Sequence, residues 1–170
     1  MIERPEAFNF YGPRTLVGPA LQVGDAAPDF QLTNPKLQSV TRADFAGTPL
    51  VLSVVPALDT GVCTKQTVRF NAEAAALAGA VNFVTVSADL PFTQTRWCGS
   101  NGAEQVTTLS DHRDMNFAQA YGTYLRDFRL ESRAVFVIDS NGVIRHVEYV
   151  PAAGQEPDYD AVMEVVRTLI

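Results

Sequence analysis

A short apolar run that ends at a proline, with a cysteine soon after it, constrains the fold of this chain most strongly. The run spans Leu50 to Val55, Pro56 stops it, and a helical pattern begins near Cys63. The run is short and β-branched, which predicts a buried strand. In the first turn of the following helix, free backbone N–H groups and the helix dipole favour a thiolate at Cys63. A thiolate is nucleophilic, but free cysteines are often merely small core residues, so position alone leaves both interpretations open.

The helix predicted after Cys63 has one apolar face. Spacings of three and four residues place the following side chains on that face: Cys63, Thr67, Phe70, Ala74 and Leu77. We therefore expect Cys63 to face the protein interior, partly covered. Gly79 is expected to end the helix as its C-cap.

The rest of the chain alternates strand and helix patterns. Strands are predicted at Val81–Ser87, Thr107–Leu109, Ala134–Asp139 and Val143–Val150. Helices are predicted at Phe92–Cys98, which Gly99 stops, at Asn116–Ala120, and from Asp158 to Leu169. The pair Asn141-Gly142 predicts a hairpin between the last two strands. This order predicts an α/β fold of the thioredoxin-like type, with a mixed central sheet flanked by helices.

The chain is expected to form one domain over residues 1–170, which is long enough for a substantial core. Residues from about 1 to 22 are predicted to be an N-terminal extension with a small hairpin at Asn9–Gln22. Phe30–Thr33 is expected to be extended, and Val40–Phe45 to lead into a short helical turn with Thr41 as its cap. The default core aromatic residues are Phe30, Phe45, Phe70, Phe83, Phe136 and Trp97.

Composition excludes several classes of function. The net charge of −6 leaves no basic surplus to neutralise nucleic-acid phosphates. No run approaches the ~20 apolar residues that cross a bilayer. The first residues contain no apolar stretch of signal-peptide type. We therefore expect a cytoplasmic protein that binds neither nucleic acid nor membranes.

Two cysteines and two histidines are the candidate reactive residues. In a reducing compartment, a structural bridge between Cys63 and Cys98 is disfavoured, and their spacing fits neither C-x-x-C nor a zinc site. His112 and His146 lie in no ligand-like cluster, so no metal is expected. A cysteine hydrolase with a histidine base is a further possibility, but neither histidine lies in a hydrolase signature, and surface positions are favoured for both.

Several ordered motifs resemble one known family. Pro56, Thr60 and Cys63 match the peroxiredoxin active-site pattern P-x-x-x-[ST]-x-x-C, and Leu58–Cys63 resembles its thiol peroxidase subfamily. Further blocks that resemble this subfamily are Asp89–Phe92, Arg96–Gly99, Gln119–Gly122, Arg133–Asp139 and Glu156–Tyr159. The resemblance extends from about Leu16 over nearly the whole remaining chain. Two departures are the segment Arg96–Asn101, where the family usually has Phe before the cysteine and Ala-Glu after the glycine, and Ala57, where serine is common.

The resemblance implies a role for each of five residues. Cys63 would be the peroxidatic nucleophile that becomes a sulfenic acid, and Cys98 would resolve it as an intrachain disulfide. Thr60 would turn its hydroxyl toward the sulfur and the peroxide, Arg133 would favour the thiolate and hold a peroxide oxygen, and Pro56 would shield the sulfur. The plainer alternatives are a helix cap for Thr60, a solvated Arg133 and a core Cys98.

By the same resemblance, the chain is expected to reduce hydrogen peroxide and organic hydroperoxides without a metal or organic cofactor. Thioredoxin is the implied reductant, and a homodimer the implied assembly. Phe92 is expected to line an apolar mouth that admits alkyl peroxides. Forming the disulfide is expected to require local unwinding of one or both cysteine helices. The alternative is a non-catalytic redox sensor or binding protein on the same fold.

Overall fold

The computed structural model describes all residues from Met1 to Ile170. Its strands are β1 (Glu3–Asn9), β2 (Pro13–Val17), β3 (Gln31–Thr33), β4 (Ser39–Thr41), β5 (Leu50–Val54), β6 (Asn82–Ser87), β7 (Thr107–Ser110), β8 (Tyr124–Leu125), β9 (Leu130–Glu131), β10 (Ala134–Ile138) and β11 (Ile144–Tyr149). Its helices are α1 (Gly61–Leu77), α2 (Pro91–Asn101), α3 (Asn116–Tyr121) and α4 (Tyr159–Arg167), with a 3-10 turn at Arg42–Phe45. None of these helices is long and apolar enough to span a membrane.

The central sheet has seven strands in the order β11-β10-β5-β6-β7-β3-β4. β5, β6 and β7 run parallel, and the outer strands pair antiparallel. This confirms the mixed sheet of the thioredoxin-like arrangement. Because α1 and α2 follow β5 and β6, both cysteine helices begin at the same edge of the sheet.

Both faces of the central sheet are covered. Along β5, Val51 packs in one core cluster, which contains Cys63, while Leu50, Leu52 and Val54 pack in the other. Burial on both faces explains why β5 reads as a continuous apolar run rather than an alternating one. Of the six aromatic residues predicted in the core, five are buried and Phe45 is partly buried.

Two helix ends differ from the sequence prediction. α2 continues through Gly99 to Asn101, and Gly102, with φ 62°, forms its C-cap. A glycine inside a helix costs only about 1 kcal/mol relative to alanine, so Gly99 does not stop it. α1 begins at Gly61, and Ala78 rather than Gly79 is its C-cap, with φ 48°.

The N-terminal hairpin lies earlier than predicted and belongs to a second sheet. β1 pairs with β2, and this hairpin joins β8 and β9 in the order β1-β2-β8-β9. The predicted span Asn9–Gln22 was therefore wrong, because all of the first strand except its last residue, Asn9, lies before it. Pro5 made a strand difficult to predict here, because proline is tolerated in strands only at edges and irregularities. In the structure, the pairing of β1 with β2 shifts register in this region, between Arg4 and Phe8.

Two buried carboxyl groups, Glu131 of the second sheet and Asp111 just before α3, lie close together. Glu131 is fully buried and accepts a hydrogen bond from the Thr123 hydroxyl. Its other oxygen has no hydrogen-bond partner, and the neighbouring Asp111 carboxylate accepts from the N–H groups of Phe117 and Ala118. Burial raises the pKa of Glu131 well above its usual range, and Asp111 raises it further. Burial and the neighbouring carboxylate therefore both favour the protonated form of Glu131.

We expect Glu131→Gln to flatten the dependence of stability on pH. A group with a raised pKa in the folded state contributes stability that is complete below its unfolded pKa and is lost as the pH rises through its folded pKa. An amide stays neutral at every pH, so the free energy of unfolding of Glu131→Gln should lack the fall of roughly 1 kcal/mol that the wild-type chain shows as pH increases. Urea unfolding from about pH 5 to pH 9 measures this. Exposed Glu104→Gln is the control, and an unchanged slope in Glu131→Gln would contradict the raised pKa of Glu131.

Candidate active site

Cys63 lies in the first turn of α1, at the base of a surface cavity. The residue is fully buried, and the cavity has a volume of about 630 Å³. Its lining residues are Asn9, Phe10, Tyr11, Pro56, Ala57, Thr60, Gly61, Val62, Cys63, Leu130, Arg133, Ala152, Ala153 and Gly154. Four of the five site residues predicted from sequence, all except Cys98, thus border one cavity.

Arg133 places a buried positive charge beside the sulfur. Only 2% of the residue is exposed, and its Nη2 lies 3.4 Å from Cys63 Sγ. Nη2 also donates to the Ala153 carbonyl at 2.7 Å, and Nη1 donates to Gln66 Oε1 at 3.0 Å. A guanidinium at this distance stabilises a thiolate by charge and by hydrogen bonding. The plainer alternative, a solvated arginine before a strand, does not describe this side chain.

Gln66 is a site residue that the sequence analysis missed. It lies one helical turn after Cys63 and is fully buried. Its Nε2 donates to Ser53 Oγ at 2.8 Å, which fixes the amide so that Oε1 faces Arg133. The available signal was a polar residue three positions after Cys63, which shares its helix face.

Thr60 and Pro56 border the cavity but form no hydrogen bond with the sulfur. Thr60 is the N-cap residue of α1, but its side chain makes no capping hydrogen bond. Its hydroxyl donates to the Ala57 carbonyl at 3.0 Å, which leaves the oxygen lone pairs free to accept. Pro56 is buried and offers no N–H group. The catalytic roles of both residues stay predictions.

The loop between β5 and α1 is anchored to the segment that precedes α2. The Leu58 N–H donates to Asp89 Oδ2 at 2.9 Å, and the Leu58 carbonyl accepts from Thr64 Oγ1 at 2.9 Å. Ser87 Oγ donates to the same Asp89 oxygen at 2.7 Å. Asp89 therefore connects the loop that holds Cys63 to the start of the Cys98 helix.

Cys98 is half-buried on α2 and borders a different cavity, of about 440 Å³. Both cysteines are free thiols. Cys98 Sγ lies 4.0 Å from Thr108 Oγ1. Burial raises the pKa of the Cys98 thiol, and the contact with Thr108 offsets part of that rise. The two cysteines therefore border different cavities, and burial favours the thiol form of Cys98 over its thiolate.

Three other residues differ from, or add to, the sequence predictions. Phe92 is 65% exposed and does not line the Cys63 cavity, so its predicted place at the apolar mouth was wrong. Phe10 and Tyr11 of the N-terminal hairpin take that place. No histidine borders the cavity. His112 forms a hydrogen bond with Ser110, and His146 lies on β11.

The chain resembles known proteins over nearly its full length. The family model described as Redoxin matches residues 22–163. The chain belongs to the redoxin family. It is 51% identical to the thiol peroxidase of Bacillus subtilis, over 94% of this chain and 95% of that protein. It is 50% identical to the thiol peroxidase of Oceanobacillus iheyensis, over 89% and 92%.

A solved structure supports the same relationship. The crystal structure of a peroxiredoxin-like protein from Aquifex aeolicus superposes with a TM-score of 0.87 at 38% identity, over 94% of each chain. The resemblance to the thiol peroxidase subfamily of the peroxiredoxins and the thioredoxin-like fold expected from sequence are both confirmed.

We expect Gln66→Met to reduce the reactivity of Cys63. Methionine keeps the volume but removes the acceptor of Arg133 Nη1, so the guanidinium loses one of its fixed contacts. In a Cys98→Ser background, alkylation by iodoacetamide at neutral pH should slow about fivefold, the factor for a hydrogen bond of ~1 kcal/mol. Exposed Gln105→Met is the matched control. Equal alkylation rates in the two variants would show that Gln66 does not position Arg133.

Proposed function

We propose that this chain is a thiol-dependent peroxidase that reduces hydrogen peroxide and organic hydroperoxides to water and alcohols. One observation carries the proposal: Cys63 Sγ lies at the base of an open cavity, 3.4 Å from a buried guanidinium. Relatives named thiol peroxidase, about half identical over nearly the whole chain, support the same chemistry.

In the first step, the Cys63 thiolate attacks one peroxide oxygen. An S–O bond forms, the O–O bond breaks, and the departing hydroxide or alkoxide takes up a proton to leave as water or alcohol. Arg133 N–H groups stabilise the charge that moves from sulfur to the leaving oxygen. The Thr60 hydroxyl, at the cavity rim, accepts from the peroxide, and Pro56 helps exclude water from the sulfur.

In the second step, Cys98 attacks the sulfenic sulfur, which releases water and forms the intrachain disulfide. The separate cavities of the two thiols support our expectation that α1 or α2 must unwind locally. Unwinding also exposes Cys98 to water, which removes the burial that raises its pKa and makes its thiolate accessible. Asp89, which bonds to the loop before α1, is one contact that must break.

The finer assignments rest on the family resemblance. We infer that thioredoxin reduces the Cys63–Cys98 disulfide, that the protein forms a homodimer in the cytoplasm, and that residues 1–170 act as one domain. Support for the single domain comes from the N-terminal hairpin, which lines the Cys63 cavity instead of forming a separate unit. Sedimentation equilibrium tests the dimer.

Intact mass after one equivalent of peroxide tests the two cysteine roles. We expect the wild-type chain to lose two hydrogens as the disulfide forms, and Cys98→Ser to gain one oxygen as its sulfenic acid persists. Cys63→Ser should gain no oxygen and show no turnover. Exposed Ser100→Ala on the same helix is the control and should behave as wild type. A disulfide-free wild-type product would refute the resolving role of Cys98.

Turnover separates the peroxidase from the redox sensor that the sequence left open. With thioredoxin, thioredoxin reductase and NADPH, a peroxidase consumes many equivalents of peroxide, whereas a sensor reacts once and stalls. We expect sustained NADPH oxidation that Cys63→Ser abolishes. A single stoichiometric burst would favour the sensor.

A further inference from the structure

The turn of the N-terminal hairpin forms one wall of the Cys63 cavity. Phe10 and Tyr11 lie in this turn, between β1 and β2, and both border the cavity. Tyr11 is 87% exposed. An exposed aromatic ring beside an apolar cavity gains buried area only when an apolar group enters and covers it.

The backbone of this turn adopts an unfavourable conformation that other contacts must stabilise. Tyr11 has φ 52°, in the left-handed region that bulky residues rarely adopt. At the base of the turn, the Asn9 N–H donates to the Pro151 carbonyl at 2.8 Å, and the Ala153 N–H donates to the Asn9 carbonyl at 3.0 Å. These bonds fix the end of β1 but not the carbonyls of Phe10 and Tyr11.

The Arg14 side chain stabilises this conformation by bonding to both carbonyls. Its Nε donates to the Phe10 carbonyl and its Nη2 to the Tyr11 carbonyl, each at 2.9 Å. Its guanidinium carbon lies 4.9 Å from the centre of the Phe128 ring, and Phe128 meets Phe10 edge-on at 5.6 Å. Its Nη1 also lies 4.0 Å from Asp127 Oδ2. One side chain thus fastens the turn to the loop between β8 and β9.

We propose that Arg14 is a positioning residue that holds Phe10 and Tyr11 as an apolar wall, and that this wall sets the preference for hydroperoxides with bulky apolar groups over hydrogen peroxide. The inference rests on the proposed peroxidase function. Hydrogen peroxide carries no organic group that could cover the exposed ring. The organic group of a larger hydroperoxide extends from the reacting oxygen into the cavity and covers the exposed ring.

The test compares kcat/KM for cumene hydroperoxide with kcat/KM for hydrogen peroxide. Arg14→Met keeps the length of the side chain but removes every donor. We expect the ratio to fall about tenfold, the lower end of what a lost apolar contact costs in an enzyme pocket. The loss should appear mainly as a higher KM for cumene hydroperoxide. Arg14→Lys should restore little of the kcat/KM ratio, because a lysine ammonium lacks the planar guanidinium that bonds to both carbonyls at once.

Two further variants make the test specific. Arg126→Ala removes a neighbouring exposed arginine that pairs with Glu3 at 2.7 Å and forms no hydrogen bond with the turn, so its ratio should equal that of wild type. Tyr11→Ala removes the exposed ring itself and should lower the ratio even if Arg14→Met fails to fold. An equal loss for both peroxides in Arg14→Met, or an unchanged ratio in Tyr11→Ala, overturns the inference. A wild-type chain that reduces neither peroxide instead refutes the proposed function.

Discussion

A guanidinium buried beside a thiol is the interaction on which the rest of the site depends. An unpaired buried charge is costly, so its hydrogen-bond partners must be fixed in advance. Arg133 meets Gln66 on α1, the Ala153 carbonyl after β11, and Cys63. Among these three, only Cys63 can carry a negative charge. Cys63 is therefore the partner that, as a thiolate, supplies the buried guanidinium with a counter-charge.

The same arrangement conflicts with the second half of the proposed reaction. A sulfur held by Arg133 in one cavity must reach Cys98, which borders another. The loop before α1 is fastened through Leu58 to Asp89, so movement at either cysteine helix strains a contact that both share. In the proposed reaction, oxidation converts the Cys63 thiolate to a neutral sulfenic acid, which removes its ion pair with the guanidinium. We expect this loss to favour the opening that the proposed second step needs.

Sequence alone predicted the parts of this site that local patterns encode. The apolar run of β5 and the helical spacing after Cys63 placed the thiol in a first turn, and the resemblance brought in Arg133 and Cys98. The sequence did not reveal the roles of Gln66, Phe10 and Tyr11, because these roles arise from contacts between segments far apart in the chain. β1 has mostly polar residues and a proline, so its strand exists only through pairing with β2 and could not be seen as a local pattern.

The end of β1, at Asn9, connects the N-terminal hairpin both to Arg133 and to the apolar wall of the Cys63 cavity. Asn9 accepts from the Ala153 N–H, and the Ala153 carbonyl accepts from Arg133. The same strand end continues into the turn that carries Phe10 and Tyr11. A displacement of β1 would therefore shift the guanidinium, which every peroxide meets, together with the wall that only large peroxides reach. A displacement confined to the turn, beyond Asn9, would shift the wall alone. Substrate preference and basic reactivity are thus separable in this fold, because the bonds at Asn9 lie between them.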